Sequence, residues 1–320
     1  MNELNLHNLC YLGPLNHITL DHSHEGWHLA RYEEYFAEHP EFKKWGKVII
    51  LTGNYALANQ KTKNGYMFVP FNCWLHYIPR QMPHPPAIHD RTSVTKCFLS
   101  LVWTPRPDKV AIYARFLQDN IFQHFRLSMR SLSTVPFDYN MLDKASAQLQ
   151  VSPKNITLLQ QMLPLHIDKG EHINTGHIVH GTLDMPMEVH DTVHMSVVME
   201  TEFISNGINR VTEKTFKAIA YGHAFLVVGA PFCTRLLQEL GFRTFHPFIN
   251  ESFDCVLEPD NRFNMIIVEL QRLAAFNEHE WAEFHRQTRP IVEFNQARLY
   301  DKEFLQANIN NTEGQVKSLY

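Results

Sequence analysis

The stretch from Val197 to Pro231, VVMETEFISNGINRVTEKTFKAIAYGHAFLVVGAP, constrains the fold more than any other part of the chain. Two apolar, β-branched runs bracket a polar loop and a segment with helical spacing. Val193 to Glu200 reads as a buried strand that ends in a carboxylate. Ser205-Asn206-Gly207 is turn chemistry. Thr212 is placed to cap a helix in which Phe216, Ile219 and Ala220 recur at helical spacing until Gly222 ends it. Phe225 to Val228, bounded by Gly229 and Pro231, is a second short buried strand. Thr234 to Leu240 then reads as a helix stopped by Gly241, and Phe242 to Phe245 as a further strand. That order, β-α-β-α-β, is the grammar of an open parallel sheet with helices on its faces. Such sheets bind ligands beyond the carboxyl ends of their strands, which is where Glu200 and the Thr212-Glu213-Lys214 turn fall.

These residues carry a resemblance. Glu200-Thr201-Glu202, Thr212-Glu213-Lys214-Thr215-Phe216-Lys217 and Gly241-Phe242-Arg243-Thr244-Phe245 occur in that order between Val193 and Asp254, about a quarter of the chain. The set resembles the donor-binding motif of fucosyltransferase-like glycosyltransferases, and is more similar still to a phage and environmental-virus group of glycosyltransferases. The fucosyltransferase pattern has Glu-Asn at the strand end; here the pair is Glu200-Thr201, with Asn206 further along. The resemblance implies a GT-B fold, in which two Rossmann-like domains face a cleft and a C-terminal helix crosses back. It also implies a nucleotide-sugar donor and no essential metal. Lys214, near a helix N-terminus, would neutralise the leaving diphosphate with help from backbone N–H groups and the helix dipole. Glu213 would accept hydrogen bonds from ribose or sugar hydroxyls, with Glu200 and Asn206 in support. The plainer reading leaves Glu213 and Lys214 in the solvated first turn of a helix capped by Thr212, but a lysine there opposes the dipole.

At 320 residues, with 44% hydrophobic and 19% charged, the chain suits two domains of ~150 residues. The expected division is 1–95 as an acceptor-side α/β domain and 96–275 as the donor-binding domain. Within the latter, 138–191 reads as an irregular insertion or connection with a helix at Pro153 to Met162, and 276–320 as a returning helix and tail. No run is apolar enough to span a membrane, and the opening MNELNLHNLCYLG has neither a basic nor an apolar leader region, so a cytoplasmic location is expected. Five scattered cysteines without a Cys-x-x-Cys fit a reducing compartment. Twenty histidines raise the question of metal, through pairs such as His22/His24, His177/His180 and His190/His194, but none forms a zincin-type motif.

In the first half, Lys47 to Leu51, Tyr66 to Pro70 and Cys97 to Trp103 read as strands, and Trp27 to Glu38 as a helix. Pro79 to Pro86 reads as a Pro-rich loop. After Trp103, the run Thr104-Pro105-Arg106-Pro107-Asp108-Lys109 opens a helix and places Arg106 and Lys109 where a phosphate can sit. The family's diphosphate-binding arginine maps to either Arg106 or Arg115. An inverting transfer needs a base opposite the leaving group, and ITLDHSHEG (Ile18 to Gly26) supplies Glu25 as first choice and Asp21 as second. His24 can do the same task at neutral pH, and the plainer reading is a polar loop ahead of a helix.

Phe263 to Leu273 and Phe276 to Arg298 read as helices, the second being the element expected to cross back; the polar tail after Tyr300 reads as a loop. The leading expectation is a glycosyltransferase acting on an acceptor hydroxyl, such as a hydroxymethylated pyrimidine in phage DNA, with a glycan as the competitor. A DNA acceptor predicts a basic rim from Lys43, Lys44, Arg80, Arg126 and Arg130. A glycan predicts aromatic platforms and carboxylates. Another nucleotide-binding enzyme on a doubly wound sheet, or a non-catalytic binding protein, are the remaining classes; no Gly-x-Gly-x-x-Gly follows the first strand.

Overall fold

The computed structural model describes residues 9–13, 17–88, 94–134, 136–167, 187–204 and 207–319. They form a mixed α/β structure built on two sheets. In the first, β1 (Leu9–Gly13) runs antiparallel to β2 (His17–His22), and β3 (Lys47–Thr52) and β4 (Met67–Pro70) follow in parallel. Val48, Ile49 and Ile50 are all buried, as expected for a parallel strand covered on both faces. α1 (Leu29–Glu38) turns Tyr32, Tyr35 and Phe36 inward against Phe42, Tyr66 and Phe68, and these form a core of their own. Its N-terminus is capped by His28, which accepts from the Arg31 amide. α2 (Cys73–Gln81) begins with Asn72 accepting from the Trp74 and Leu75 amides.

The second sheet follows the order β6-β5-β7-β8 and is wholly parallel. β5 (Lys96–Leu101) leads through α3 (Pro107–Gln118) to β6 (Phe125–Ser128) on one side. The chain then runs through α4 (Tyr139–Gln148), α5 (Pro153–Met162) and α6 (Met187–Asp191) to β7 (Val193–Met199) on the other side of β5. The strand order therefore reverses between β5 and β7. α7 (Glu213–Ala220), β8 (Phe225–Val228) and α8 (Cys233–Glu239) continue the winding, and α9 (Pro259–Ala274), α10 (Glu278–Leu299) and α11 (Lys302–Ser318) close the chain. Two sheets with largely separate cores are compatible with two Rossmann-like units. Among the described residues no helix is long and apolar enough to cross a membrane.

Four expectations are corrected. Phe242 to Phe245 is not a strand: Phe242 and Phe245 are core residues, but the backbone there bonds to side chains. The Arg243 amide and carbonyl both go to Asn295, and the Phe245 amide goes to Glu251. Pro79 belongs to the last turn of α2, not to a loop. In the segment 138–191 the helix expected at Pro153 to Met162 is α5, but α4 and α6 were not expected, and α4 and α5 pack on α3. Finally, α10 packs on α7, where Gln296 bonds the Ala220 carbonyl, and it also bonds the Pro86 and Ile88 carbonyls ahead of β5; the helix that packs on the first sheet is α11, in the tail read as a loop. The Lys47 ammonium donates to the Leu319 carbonyl at 2.6 Å, and His76 bonds Asn308 at 2.9 Å.

Side chains of the first unit stitch the two together at the carboxyl ends of the first sheet. Asn54, fully buried just beyond β3, donates to the carbonyls of Trp27 and Gly207 and accepts from the Asn209 amide. Asn72 reaches the Val211 carbonyl at 2.8 Å. Gly53 permits this crowding: a Cβ there would lie 2.6 Å from the Ser23 carbonyl oxygen.

Candidate functional site

A cavity of about 190 Å³ opens at the carboxyl ends of β5 and β7, at the reversal of strand order where open α/β sheets bind ligands. Leu99, Leu101 and Val198 line its apolar part. Around them stand Arg106, Lys109, Lys214 and Lys217, with Glu213 as the one carboxylate lining the cavity among the described residues. Four cations against one anion suit a ligand that brings negative charge.

Glu200 lies beneath this cavity and does not face it. It is 1% exposed, and both oxygens are fully engaged. Oε1 accepts from the Thr212 amide at 2.9 Å and the Thr215 hydroxyl at 2.6 Å. Oε2 accepts from the Thr212 hydroxyl at 2.6 Å and the Thr201 amide at 3.2 Å. Thr212 stands at the N-cap of α7, but its hydroxyl serves Glu200 and makes no capping bond. The carboxylate thus satisfies the helix start from the preceding strand.

The expected donor residues divide by how free they are. The Lys214 side chain is 30% exposed, and its ammonium reaches Glu213 Oε1 at 2.7 Å and the hydroxyls of Thr201 and Thr212 at 3.2 Å each. Burial opposes the charge on Glu213, but Lys214 more than offsets it and holds the carboxyl below its ordinary range. Lys109 is 3% exposed; its ammonium donates to the Glu200 backbone carbonyl and lies 3.5 Å from Asp108. Burial lowers its pKa and Lys214 and Arg106 add to that, against the opposing pull of Asp108. Arg106 is 49% exposed at the mouth, 3.7 Å from Glu202, and is the least committed cation of the set. Arg115 is excluded from the cavity: Asp119, Asp260, Asn264 and the Leu149 carbonyl bind it on the far side of α3. Asn206 lies outside the described residues.

Lys217, Thr201, Trp103 and Arg210 are absent from the expected set. Lys217 had a signal, since a residue three positions after Lys214 on a helix shares its face. Arg210 had none, because two of its partners, His24 and Glu25, come from the first unit. It is 7% exposed and bonded to Glu202, with the Glu25 carboxylate 3.7 Å away and the His24 carbonyl at 3.4 Å. Glu25 is therefore turned toward Arg210. Asp21 ends β2 and accepts from the Ser23 amide and hydroxyl at 3.0 and 2.6 Å. Neither acid lines the cavity. Burial pushes the Cys73 thiol up to about 12, and the charges of Asp21 and Glu213 push it the same way. Cys73 thus sits within the fields of an acid from each unit.

Lys43 and Lys44 precede β3 and so lie at its amino end, away from the strand ends that carry the cavity. Arg126 is consumed by Thr192 and the Ile167 carbonyl. Arg130 covers Trp103. Among the described residues no group of three His, Cys, Asp or Glu is arranged to hold a metal. His194 pairs with His285 at 3.0 Å and stacks on Trp281, while His177 and His180 lie outside the described residues.

No family model, curated protein or solved structure matches the chain. The fucosyltransferase-like resemblance rests on the sequence motifs between Val193 and Asp254 alone.

Proposed function

We propose that the chain is a glycosyltransferase of GT-B type that transfers a sugar from a nucleotide diphosphate donor to an acceptor hydroxyl. The observation that carries this reading is the gathering of Arg106, Lys109, Lys214 and Lys217 around one crevice at the strand-order reversal. As the sugar–phosphate bond breaks, negative charge grows on the diphosphate, and fixed cations near a helix start stabilise it most at that moment. Lys214 exchanges hydroxyl partners for phosphate oxygens, and Arg106 closes on the outer phosphate from the mouth. Glu213 fixes Lys214 and takes a donor hydroxyl on its other oxygen. On the acceptor side Asp21 takes the hydroxyl proton; Glu25, held to Arg210, shapes the loop that carries it.

The acceptor is best read as a glycan. The carboxyl end of the first sheet presents Trp27 and Trp74 with Asp21 and Glu25, and His24 lies edge-on to Trp74 at 5.6 Å. Rings and carboxylates recognise sugar faces and hydroxyls.

Thermal shift with UDP, GDP and ADP and their sugar conjugates tests the donor site. A ligand at 100 times its Kd stabilises the fold by about 2.7 kcal/mol. One of these is expected to raise the melting temperature of the wild type and to lose most of that effect on Lys214→Ala. Equal shifts for the two proteins, or no shift with any nucleotide, would reject the assignment.

A further inference from the structure

Trp103 differs from most tryptophans of this chain. Trp27, Trp74 and Trp281 pack against other rings, with centroids 4.4, 5.5 and 4.1 Å from His22, Tyr77 and His194. Among the described residues no ring contacts Trp103; the group over it is the Arg130 guanidinium, 4.6 Å from the ring centroid. The indole follows β5, is half-buried, and lines the same crevice as Arg106, Lys109 and Lys214. Arg130 follows β6 and no described hydrogen bond or ion pair commits it elsewhere.

A half-buried indole without a ring partner leaves π surface that water solvates poorly. A cation over the ring and further cations beside it match a ligand made of a flat aromatic part joined to phosphates. The geometry points to Trp103 as the platform on which the donor's nucleobase stacks, with Arg130 as a positioning residue that holds the indole plane from one face. This rests on the donor-site reading above and adds which end of the nucleotide lies where: base on Trp103, diphosphate toward Lys214 and Arg106. The same arrangement explains how the chain binds a nucleotide without a glycine-rich dinucleotide loop, since recognition is divided between one ring and a set of side-chain cations.

Calorimetric titration of UDP, GDP, ADP and inorganic pyrophosphate into the wild type, Trp103→Ala and Trp103→Phe separates the base from the diphosphate. The best nucleoside diphosphate is expected to bind the wild type about 5- to 150-fold tighter than pyrophosphate, the span that stacking of one base supplies. Trp103→Ala should erase that preference and leave pyrophosphate affinity unchanged, and Trp103→Phe should keep most of it. Indole emission gives a second reading that needs no alanine variant: a nucleoside diphosphate should quench the wild type, pyrophosphate should not, and Trp103→Phe should lack the quench. A nucleotide preference that survives Trp103→Ala, or no preference in the wild type, overturns the platform while the diphosphate site stands. Failure of both pyrophosphate and every nucleotide to bind the wild type overturns the platform and the donor site together.

Discussion

Arg210 grips Glu202 through two parallel hydrogen bonds, Nε to Oε2 at 2.8 Å and Nη2 to Oε1 at 3.0 Å. Glu202 also lies 3.7 Å from Arg106 at the mouth of the crevice, and Arg210 lies 3.7 Å from Glu25 in the first unit. A single carboxylate thus links, through Arg210, the loop that carries Asp21 and Glu25 to the most exposed cation of the crevice. With Arg210 7% and Glu202 15% exposed, the pair is largely dehydrated, so removing one partner strands the other charge. Glu202→Gln is expected to cost about 3 kcal/mol, the low end for a broken buried pair because Glu25 remains. Gly26→Ala should act on the same pair, since its Cβ would lie 2.6 Å from Arg210 Cδ, which is held at both ends. Urea unfolding of the two variants checks both; losses under about 0.5 kcal/mol would show that the pair is not a structural link.

Glu200→Gln tests the buried carboxylate beneath α7. The amide presents N–H groups to donors that now face a carboxylate, leaving at least one buried donor unsatisfied, at about 1–3 kcal/mol each. Because Thr201 and Thr212 contact both Glu200 and Lys214, the same change should weaken nucleotide binding without touching the cavity wall. Unaltered stability together with lost binding would place Glu200 in direct contact with ligand instead.

His22 makes the first unit sensitive to acid. It is 8% exposed, its Nδ1 lies 2.8 Å from the Tyr32 hydroxyl, and burial lowers its pKa from 6.5 to about 4. Asp21 opposes that shift, while Arg210 and His24 reinforce it. Between these pH values the unfolded chain holds a proton that the folded chain does not. Stability therefore rises with pH across the window and is lost as pH falls from 6.5 toward 4, by about 3 kcal/mol at most from this group. Chemical unfolding at pH 7, 5.5 and 4.5 for the wild type and His22→Asn should show a shallower slope in the variant. Parallel slopes would assign the acid sensitivity to other groups.

Cysteine reactivity should follow burial. Cys255 is exposed, whereas burial raises the pKa of Cys73 to about 12 and that of Cys233 well above its ordinary value. The thiolate is the reacting form, so iodoacetamide at pH 8 should modify Cys255 at least about tenfold faster than Cys73 or Cys233 in the folded protein. Peptide mapping by mass spectrometry reads the order, and early labelling of Cys73 would mean that the space between the two units is open to solvent.

Much of the second sheet was legible because its elements are local. The strand from Val193, the helix after Thr212 and the strand at Phe225 depend on apolar spacing and turn residues within a few positions, and each is found within a residue or two of its expected place. Lys214 beside a helix start, with Arg106 and Lys109 after β5, could be listed from the same local grammar. The Phe242 to Phe245 run misled for the opposite reason: its apolar pattern is real, but Asn295 and Glu251 take the backbone bonds that a neighbouring strand would have taken. The helix from Lys302 to Ser318 was hidden by asparagines that weaken its propensity, and it has no buried residue.

The amino-acid order by itself determined the strands from Val193 and Phe225 and the helix after Thr212, and that cations follow two strands of the second sheet, since propensity and spacing act over a turn or two. Only the tertiary structure decided which charges are spent and which are available. Glu200 and Arg115 are saturated by segments distant in the chain, Arg210 is claimed by acids on both sides of it, and Arg106 is left at the mouth. A charge's role depends on what lies within a few ångströms of it and on how much water remains there, and neither is set by its neighbours in sequence.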